Sequence, residues 1–223
     1  MYNMQNRFAF PTANTMWSDF IESTENEQAL TMLKQWPNWP TYGLIICGPS
    51  GSGKTHLAQL WGQKNAYMIQ AHDFDKSPRD LPYQSFIFDM MISSMQQQIW
   101  LFHLLNIIRE KQGYILITTR EPIENIDLQL QDLISRLQEF MFIQMLYPHD
   151  DLLYKIIIQM AQKEQINLAH ETMQYILTRT PRDINVIKKT FAQLNHLSLS
   201  MKKPITIPFI RKLIEIDDFA FMG

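Results

Sequence analysis

The chain has 223 residues, a formal net charge of −2, 46% hydrophobic residues and one cysteine. This length accommodates one medium domain, or an α/β domain with a small companion, and the apolar content excludes a mainly disordered or fibrous protein. One cysteine excludes an internal disulfide, no apolar run reaches membrane-spanning length, and the amino terminus lacks the charged-then-apolar order of a signal peptide. The composition therefore predicts a soluble protein of the reducing cytoplasm.

Three zones follow one another along the chain. Residues 1–17 are polar and interrupted by Pro11, so we expect a flexible tail. Over residues 18–147 apolar runs alternate with helical patterns, which is typical of an α/β fold with a parallel sheet and crossover helices. Residues 148–223 show helical patterns only and predict a small all-helical domain. The predicted strands are 43–47, 66–70, 85–89, 114–118 and 140–145.

Several helices can be placed from their apolar spacing and their start signals. A helix is predicted over residues 95–111, stopped by Gly113, and its predicted buried face is Ile99, Phe102, Leu105 and Ile108. In the all-helical zone, Asp150 or Asp151 is expected to cap a helix, and a second helix follows. The first of these helices is expected to bury Leu153, Ile156, Ile157 and Met160, and the second runs through Met173, Ile176 and Leu177.

The last two helices share a start signal. Thr180 is expected to cap the third helix of the zone, with Pro181 at its first position and Asp183 at its third. Thr206 and Pro208 repeat the signal.

Residues 151–212 also carry ten Lys or Arg against four Asp or Glu. An excess of this size is more typical of solvated helix faces than of the alternative, a DNA-binding surface.

The most informative motif is a complete G-x-x-x-x-G-K-T loop between a predicted strand and a predicted helix. In such a loop, glycines let backbone N–H groups face phosphate oxygens, the lysine reaches the β and γ oxygens, and the threonine hydroxyl reaches Mg²⁺. The helix dipole favours the same anion. The motif predicts a site for ATP or ADP with Mg²⁺ formed by Gly48, Pro49, Ser50, Gly51, Ser52, Gly53, Lys54, Thr55 and His56.

Acidic and hydroxyl groups end two of the predicted strands. Asp89 ends the third predicted strand and is the expected Mg²⁺-side carboxylate, with a plain strand end as the alternative. The next positions, where efficient ATPases place an acid that activates water, hold Met90 and Met91. This predicts weak intrinsic hydrolysis. Thr118 and Thr119 end the following strand, where a hydroxyl can face the γ-phosphate.

Two arginines complete the candidate site. Arg136 follows Ser135 at the end of a predicted helix, just before the last strand. It is either a member of a surface ion pair or a source of positive charge for a nucleotide bound by a neighbouring subunit. Arg182, near the start of a helix in the all-helical zone, could fold back onto the phosphates.

This order of features resembles the AAA+ ATPase domain and, within that class, the DnaA-related proteins of the Hda type. The resemblance covers about residues 5–214. Four segments carry it in addition to the phosphate loop. Residues 17–21 with Asn26 are similar to the family's opening Phe-centred segment, and residues 132–137 are similar to its arginine-finger box. Residues 180–184 are similar to its second sensor, and residues 203–206 are similar to the run before its last lid helix.

The resemblance also implies partners. The chain stops at Gly223, without the helix-turn-helix domain of DnaA, which favours the Hda type. Proteins of that type carry an amino-terminal sliding-clamp motif, which Gln5, Phe8, Phe10 and Pro11 resemble, although Asn6 replaces a leucine. The resemblance therefore implies a regulator that docks on the DNA-loaded clamp, reaches DNA only through it, and promotes hydrolysis of the ATP held by DnaA.

Several alternatives stay open at this point. Arg136 would act either on the ATP of the initiator or inside a homo-oligomer. An autonomous DNA-stimulated ATPase or helicase loader would share the same motifs. A small-molecule kinase would need an acceptor pocket and a mobile arginine-rich lid, against which the regular basic helices after Pro148 argue. A scaffold without nucleotide is disfavoured because the loop is complete.

Overall fold

The computed structural model describes residues 17, 20–63, 66–90, 92 and 94–215. In this part of the chain five strands form one sheet in the order β2–β3–β4–β1–β5, and β3 pairs in parallel with both β2 and β4. Asp89 at the end of β3 lies opposite Thr118 of β4. The strands are β1 Gly43–Cys47, β2 Tyr67–Met68, β3 Phe86–Asp89, β4 Ile115–Thr119 and β5 Met141–Gln144. All five predicted strands are therefore present, although β2 is short.

Eight α-helices occur among the described residues. None of them combines the length and apolarity needed to cross a bilayer. Short 3-10 helices cover Ala71–Asp75, Pro78–Asp80 and Ile123–Asn125. The α-helices are α1 Glu27–Lys34, α2 Lys54–Gly62, α3 Met95–Glu110, α4 Gln131–Gln138, α5 Asp150–Lys163, α6 His170–Leu177, α7 Ile184–Met201 and α8 Ile207–Glu215.

The chain divides into two compact units. Of the described residues, the first unit comprises Trp17, Phe20, 32–46 and 55–142, and the second comprises 21–31, 47–54 and 143–215. The second unit therefore contains most of the phosphate loop as well as helices α5 to α8. The domain limits predicted at 17/18 and 147/148 follow the order of elements along the chain and stay a prediction.

Helix α3 is the central helix of the first unit's core, but its buried face differs from the predicted one. The prediction of Ile99 as a core residue was wrong, because 41% of its surface is exposed, and Phe102 is only partly buried. Steps of three residues rotate by about 60° backwards each time around a helix of 3.6 residues per turn, so such a series cannot stay on one face. The residues that α3 buries most deeply are Leu101, Leu104, Leu105 and Ile108.

The helices of the second unit pack around a core of their own, and two predicted helix starts needed correction. Helix α5 has His149 as its N-cap, so Asp150 and Asp151 lie in its first turn, where the helix dipole stabilises negative charge. Met160 is only partly buried. The most deeply buried residues of this core are Leu153, Ile157, Ile176, Ile187, Leu194, Ile210 and Leu213.

Helix α7 begins later than the sequence predicted. Its N-cap is Asp183, whose Oδ1 accepts hydrogen bonds from the backbone N–H groups of Asn185 at 2.7 Å and Val186 at 3.3 Å. Thr180 was the wrong cap, because its hydroxyl donates to the carbonyl of Ile176 at 2.8 Å instead. The expected Thr206 cap is confirmed, since its Oγ1 accepts from the N–H of Phe209 at 3.4 Å.

Candidate functional site

The phosphate loop has a backbone that only glycine adopts easily. Gly51 has φ +72° and Gly53 has φ +98°, both in the left-handed region. The loop leads directly into α2, which begins at Lys54, so the unpaired N–H groups of the first helical turn belong to the same site. Loop and helix start therefore have the shape that an anionic phosphate requires.

Lys54 lies inside the loop and is only 7% exposed. Its Nζ donates to the carbonyl oxygens of Gly48 and Pro49, both at 2.7 Å, and lies 3.4 Å from the Ser52 hydroxyl. A positive charge is thus held at the centre of the loop by the loop's own oxygens. The buried cation and the two left-handed glycines fit a bound phosphate group.

The start of α7 packs against this loop, a contact that the sequence did not predict. The N–H of Ile184 donates to the Gly51 carbonyl at 3.1 Å, and the Ser50 hydroxyl donates to Asp183 Oδ2 at 3.4 Å. A Cβ added to Gly51 would overlap the Asp183 carboxyl group. The N-cap residue of α7, Asp183, therefore places an acidic side chain on the loop.

Arg182, by contrast, has another partner. Its Nε lies 3.1 Å from Oδ1 of Asp150, which is in the first turn of α5, and one of its terminal nitrogens donates to Oδ2 of the same carboxylate at 3.1 Å. This is the bidentate geometry that guanidinium and carboxylate favour, although both side chains are more than 60% exposed. A contact between Arg182 and bound phosphate stays a prediction.

The acidic side of the predicted site belongs to the first unit. Asp89 Oδ1 accepts a hydrogen bond from the Thr118 hydroxyl at 2.9 Å. Thr119 is 1% exposed, and its hydroxyl has no hydrogen-bond partner in the described part of the chain. Thr55 and His56 also belong to this unit, and the His56 ring lies 5.7 Å from that of Phe20.

The described residues contain no group of three or more His, Cys, Asp or Glu side chains that could hold a metal ion alone. Mg²⁺ is usually bound by one or two protein groups together with phosphate oxygens and water. A lone strand-end carboxylate such as Asp89, with the Thr55 hydroxyl, fits that way of binding Mg²⁺. Met90 follows Asp89 in the structure, whereas Met91 lies outside the described residues.

Arg136 lies at the opposite end of the strands from Asp89. It is in the last turn of α4, 3.6 Å from Glu139, with 26% of its side chain exposed. Burial raises the pKa of the Tyr42 hydroxyl, and the nearby charge of Arg136 acts in the opposite direction. Tyr42 immediately precedes β1, and its carbonyl accepts from the N–H of Ile115 at the start of β4. Five strand residues span about 16 Å, so Arg136 and Asp89 are far apart.

Helix α4, which carries Arg136, is capped by a residue that the sequence did not identify. Gln98 of α3 is 4% exposed, and its Oε1 accepts from the N–H groups of Gln129 at 2.8 Å and Leu130 at 3.0 Å. The N-cap residue Leu130 offers no side-chain hydrogen bond of its own. Because Gln98 lies 31 residues before Gln129, no local pattern could have revealed this contact.

The opening segment is described only in part. Asn26 accepts from the N–H of Ser23 and donates to the carbonyl of Ile21, both at 3.0 Å, which fixes the turn before α1. Ser18 and Asp19 lie outside the described residues, as does the predicted clamp motif of Gln5, Phe8, Phe10 and Pro11.

Residues 150–214 match the family model "Hda, lid domain". An uncharacterised protein of Haemophilus influenzae is 25% identical over 188 residues, which cover 77% of this chain and 80% of the relative. The chromosomal replication initiator protein DnaA of Campylobacter fetus is 25% identical over 195 residues, covering 77% of this chain and 45% of the initiator. The chain thus spans less than half the length of that DnaA.

Solved structures show the same fold. Domain III of Thermotoga maritima DnaA has a TM-score of 0.77 at 19% identity, covering 92% of this chain and 96% of the domain. AMPPCP-bound DnaA from Aquifex aeolicus has a TM-score of 0.69 at 18% identity, covering 81% and 64%. The RuvB branch migration motor of T. maritima has a TM-score of 0.69 at 16% identity, covering 90% and 71%. The predicted fold class, an AAA+ α/β domain with a parallel sheet and a helical lid, is confirmed.

Proposed function

We propose that this chain, a DnaA-related AAA+ protein of the Hda type by its lid, its relatives and its fold, regulates the initiation of chromosome replication. It binds ADP or ATP and the polymerase sliding clamp, and it promotes hydrolysis of the ATP bound to the initiator DnaA. The main support is a phosphate loop with complete geometry in a chain whose lid matches the Hda model.

The nucleotide would be held by the loop from Gly48 to Thr55. The solved DnaA of A. aeolicus is bound to AMPPCP, which supports a nucleotide in this related fold. Lys54 supplies the buried positive charge, and Thr55 and Asp89 would hold Mg²⁺, with Thr118 orienting the carboxylate. When bound, the nucleotide would supply the negatively charged phosphate groups that Lys54 contacts and the oxygens that complete the coordination of Mg²⁺.

Weak hydrolysis by the chain itself is part of the proposal. A general base must be able to take up a proton from the attacking water, and the thioether of Met90 beside Asp89 does not do so. The nucleotide of this chain would therefore serve mainly as a structural ligand. The activity would be exerted on the nucleotide of a partner.

The position of Arg136 supports action in trans. It lies near Tyr42 at the amino end of the strands, whereas the chain's own Asp89 lies at their carboxyl end. An arginine placed against the γ-phosphate of another subunit stabilises the charge of the transition state. We propose the ATP of the initiator as the target, and a homo-oligomer is the alternative neighbour.

Clamp binding is proposed from the amino-terminal pattern of Gln5, Phe8, Phe10 and Pro11. A short segment that offers alternate side chains to pockets on a partner is a common recognition mode. DNA would then be reached through the clamp, with no direct contact required.

The test is a reconstituted reaction that contains ATP-bound initiator, clamp loaded on DNA, and this protein. We expect faster conversion of initiator-bound ATP to ADP, and we expect this only when the clamp is present. The variant Gln5→Ala with Phe8→Ala should lose clamp binding and stimulation while its melting temperature stays within about 1 °C, because a polar terminal segment of the kind that the sequence predicts here contributes little to folding. Sustained DNA-stimulated turnover by the isolated protein would favour an autonomous ATPase or helicase loader instead.

A further inference from the structure

The first turn of α7 places a carboxylate on the phosphate loop. Asp183 Oδ2 accepts a hydrogen bond from the Ser50 hydroxyl at 3.4 Å, and the backbone N–H of the next residue, Ile184, donates to the Gly51 carbonyl at 3.1 Å. The absence of a side chain at Gly51 makes room for the Asp183 carboxyl group, which a Cβ there would overlap. Asp183 is therefore fixed at the loop from two sides, by its own helix and by the loop.

The hydrogen-bond donors to the Asp183 carboxylate carry no charge. Asp183 accepts hydrogen bonds from the hydroxyl of Ser50 and from the backbone N–H groups of Asn185 and Val186, which are all neutral donors. No ion pair of Asp183 is found in the part of the chain that the structure describes. The adjacent Arg182 is occupied by Asp150. A full negative charge thus lies beside a loop built to receive phosphate.

We propose that Asp183 is a specificity-determining residue that weakens binding of a nucleoside triphosphate relative to a diphosphate. This inference rests on the proposed nucleotide site. A terminal phosphate adds negative charge to the ligand, and each added charge is repelled by a carboxylate that lies within the screening length of about 8 Å at physiological ionic strength. Removing the charge of Asp183 therefore helps the triphosphate more than the diphosphate.

The alternative role of Asp183 is purely structural, as the cap of α7. The variant Asp183→Asn separates the two roles, because asparagine caps helices as well as aspartate does and has the same shape without the charge. Dissociation constants for ADP and for the triphosphate analogue AMPPCP are measured by calorimetry on the full chain. We expect the ratio of the triphosphate constant to the diphosphate constant to fall about fivefold, and the change to shrink as salt is raised.

A matched control removes the same charge elsewhere in the helical part of the second unit. Glu171 is exposed in the first turn of α6, and no hydrogen bond or ion pair of its side chain is found among the described residues. Glu171→Gln changes the net charge by the same amount as Asp183→Asn, so it should leave the ratio unchanged. If it lowers the ratio equally, the effect comes from net charge and the proposal is overturned.

The remaining outcomes are equally decisive. An unchanged ratio in Asp183→Asn, or an equal change for both nucleotides, shows that Asp183 is only a cap. If Asp183→Asn fails to fold, as judged by circular dichroism, Asp183→Ser replaces it, because serine is also a favoured uncharged cap. If the wild-type chain binds neither nucleotide, the proposed site itself is wrong and this inference falls with it.

Discussion

The two ends of the strands in the first unit differ in charge. At the carboxyl end, Asp89 lies opposite Thr118, whose hydroxyl donates a hydrogen bond to the Asp89 carboxylate. At the amino end, Arg136 lies close to Tyr42. A hollow of about 470 Å³ at the same end is lined by aromatic, cationic and acidic side chains, among them Trp39, Tyr42, Arg109, Tyr114 and Glu139.

Under the proposed function, one copy of the chain would supply only half of a hydrolytic site. The metal-side acid and the candidate catalytic cation lie about a strand length apart, and a strand is too stiff to bring them together. A second nucleotide-binding subunit that presents its acidic end to the basic end of this chain would complete the site. The largest effects are therefore expected from changes at the basic end that are assayed on a partner.

Arg136→Ala should produce the largest effect. We expect stimulated hydrolysis of initiator-bound ATP to fall by about 10³-fold or more, because removal of an arginine in trans costs on the order of 10³–10⁵ in rate. Nucleotide and clamp binding by the variant itself should not change. The reconstituted hydrolysis assay and calorimetry measure the two properties.

Arg109→Ala is the matched control, because it removes an equal charge at the same end of the strands. Its effect on stimulation should be below about tenfold, as expected for loss of long-range attraction alone. Equal losses in both variants would mean that general positive charge matters at this end and that the position of Arg136 does not.

Asp89→Asn tests the acidic end. We expect the gain in nucleotide affinity that Mg²⁺ gives over a metal-free, EDTA-containing buffer to fall by about tenfold or more, because the carboxylate is the expected metal-side group. Thr118→Val should cause a smaller loss, since it removes only the hydroxyl that orients Asp89. Calorimetric titration with and without Mg²⁺ measures both. An unchanged metal dependence in Asp89→Asn would leave Asp89 as an ordinary strand end.

Gln98→Leu should have the smallest effect, and it concerns how α4 carries Arg136 to the basic end. The substitution leaves two backbone N–H groups, of Gln129 and Leu130, without their acceptor, at a cost of about 1–3 kcal/mol. This corresponds to a fall in melting temperature of roughly 2–12 °C for a chain of this size. Gln96→Leu, at an exposed position of the same helix, should shift it by less than about 2 °C. Equal shifts would contradict the capping role.

The sequence predicted features that depend on neighbouring residues. The strands have continuous apolar runs, the phosphate loop is a contiguous motif whose glycines set the backbone, and the Thr206 cap acts three residues away. The same local reasoning failed for the buried face of α3, where apolar residues such as Ile99 face solvent. The predicted series advanced in steps of three residues, which turn around a helix, so only its later members, Leu105 and Ile108, lie in the core.

The sequence by itself thus determined the order of elements, the phosphate loop and the acid at the end of β3, since each depends on residues adjacent in the chain. Only the tertiary structure decided which side chains meet. Thr118 reaches Asp89 across 29 residues, and Gln98 caps α4 across 31. Asp183 accepts a hydrogen bond from Ser50 of the loop across 133 residues. Such contacts form only after the chain has folded back on itself, so no local spacing encodes them.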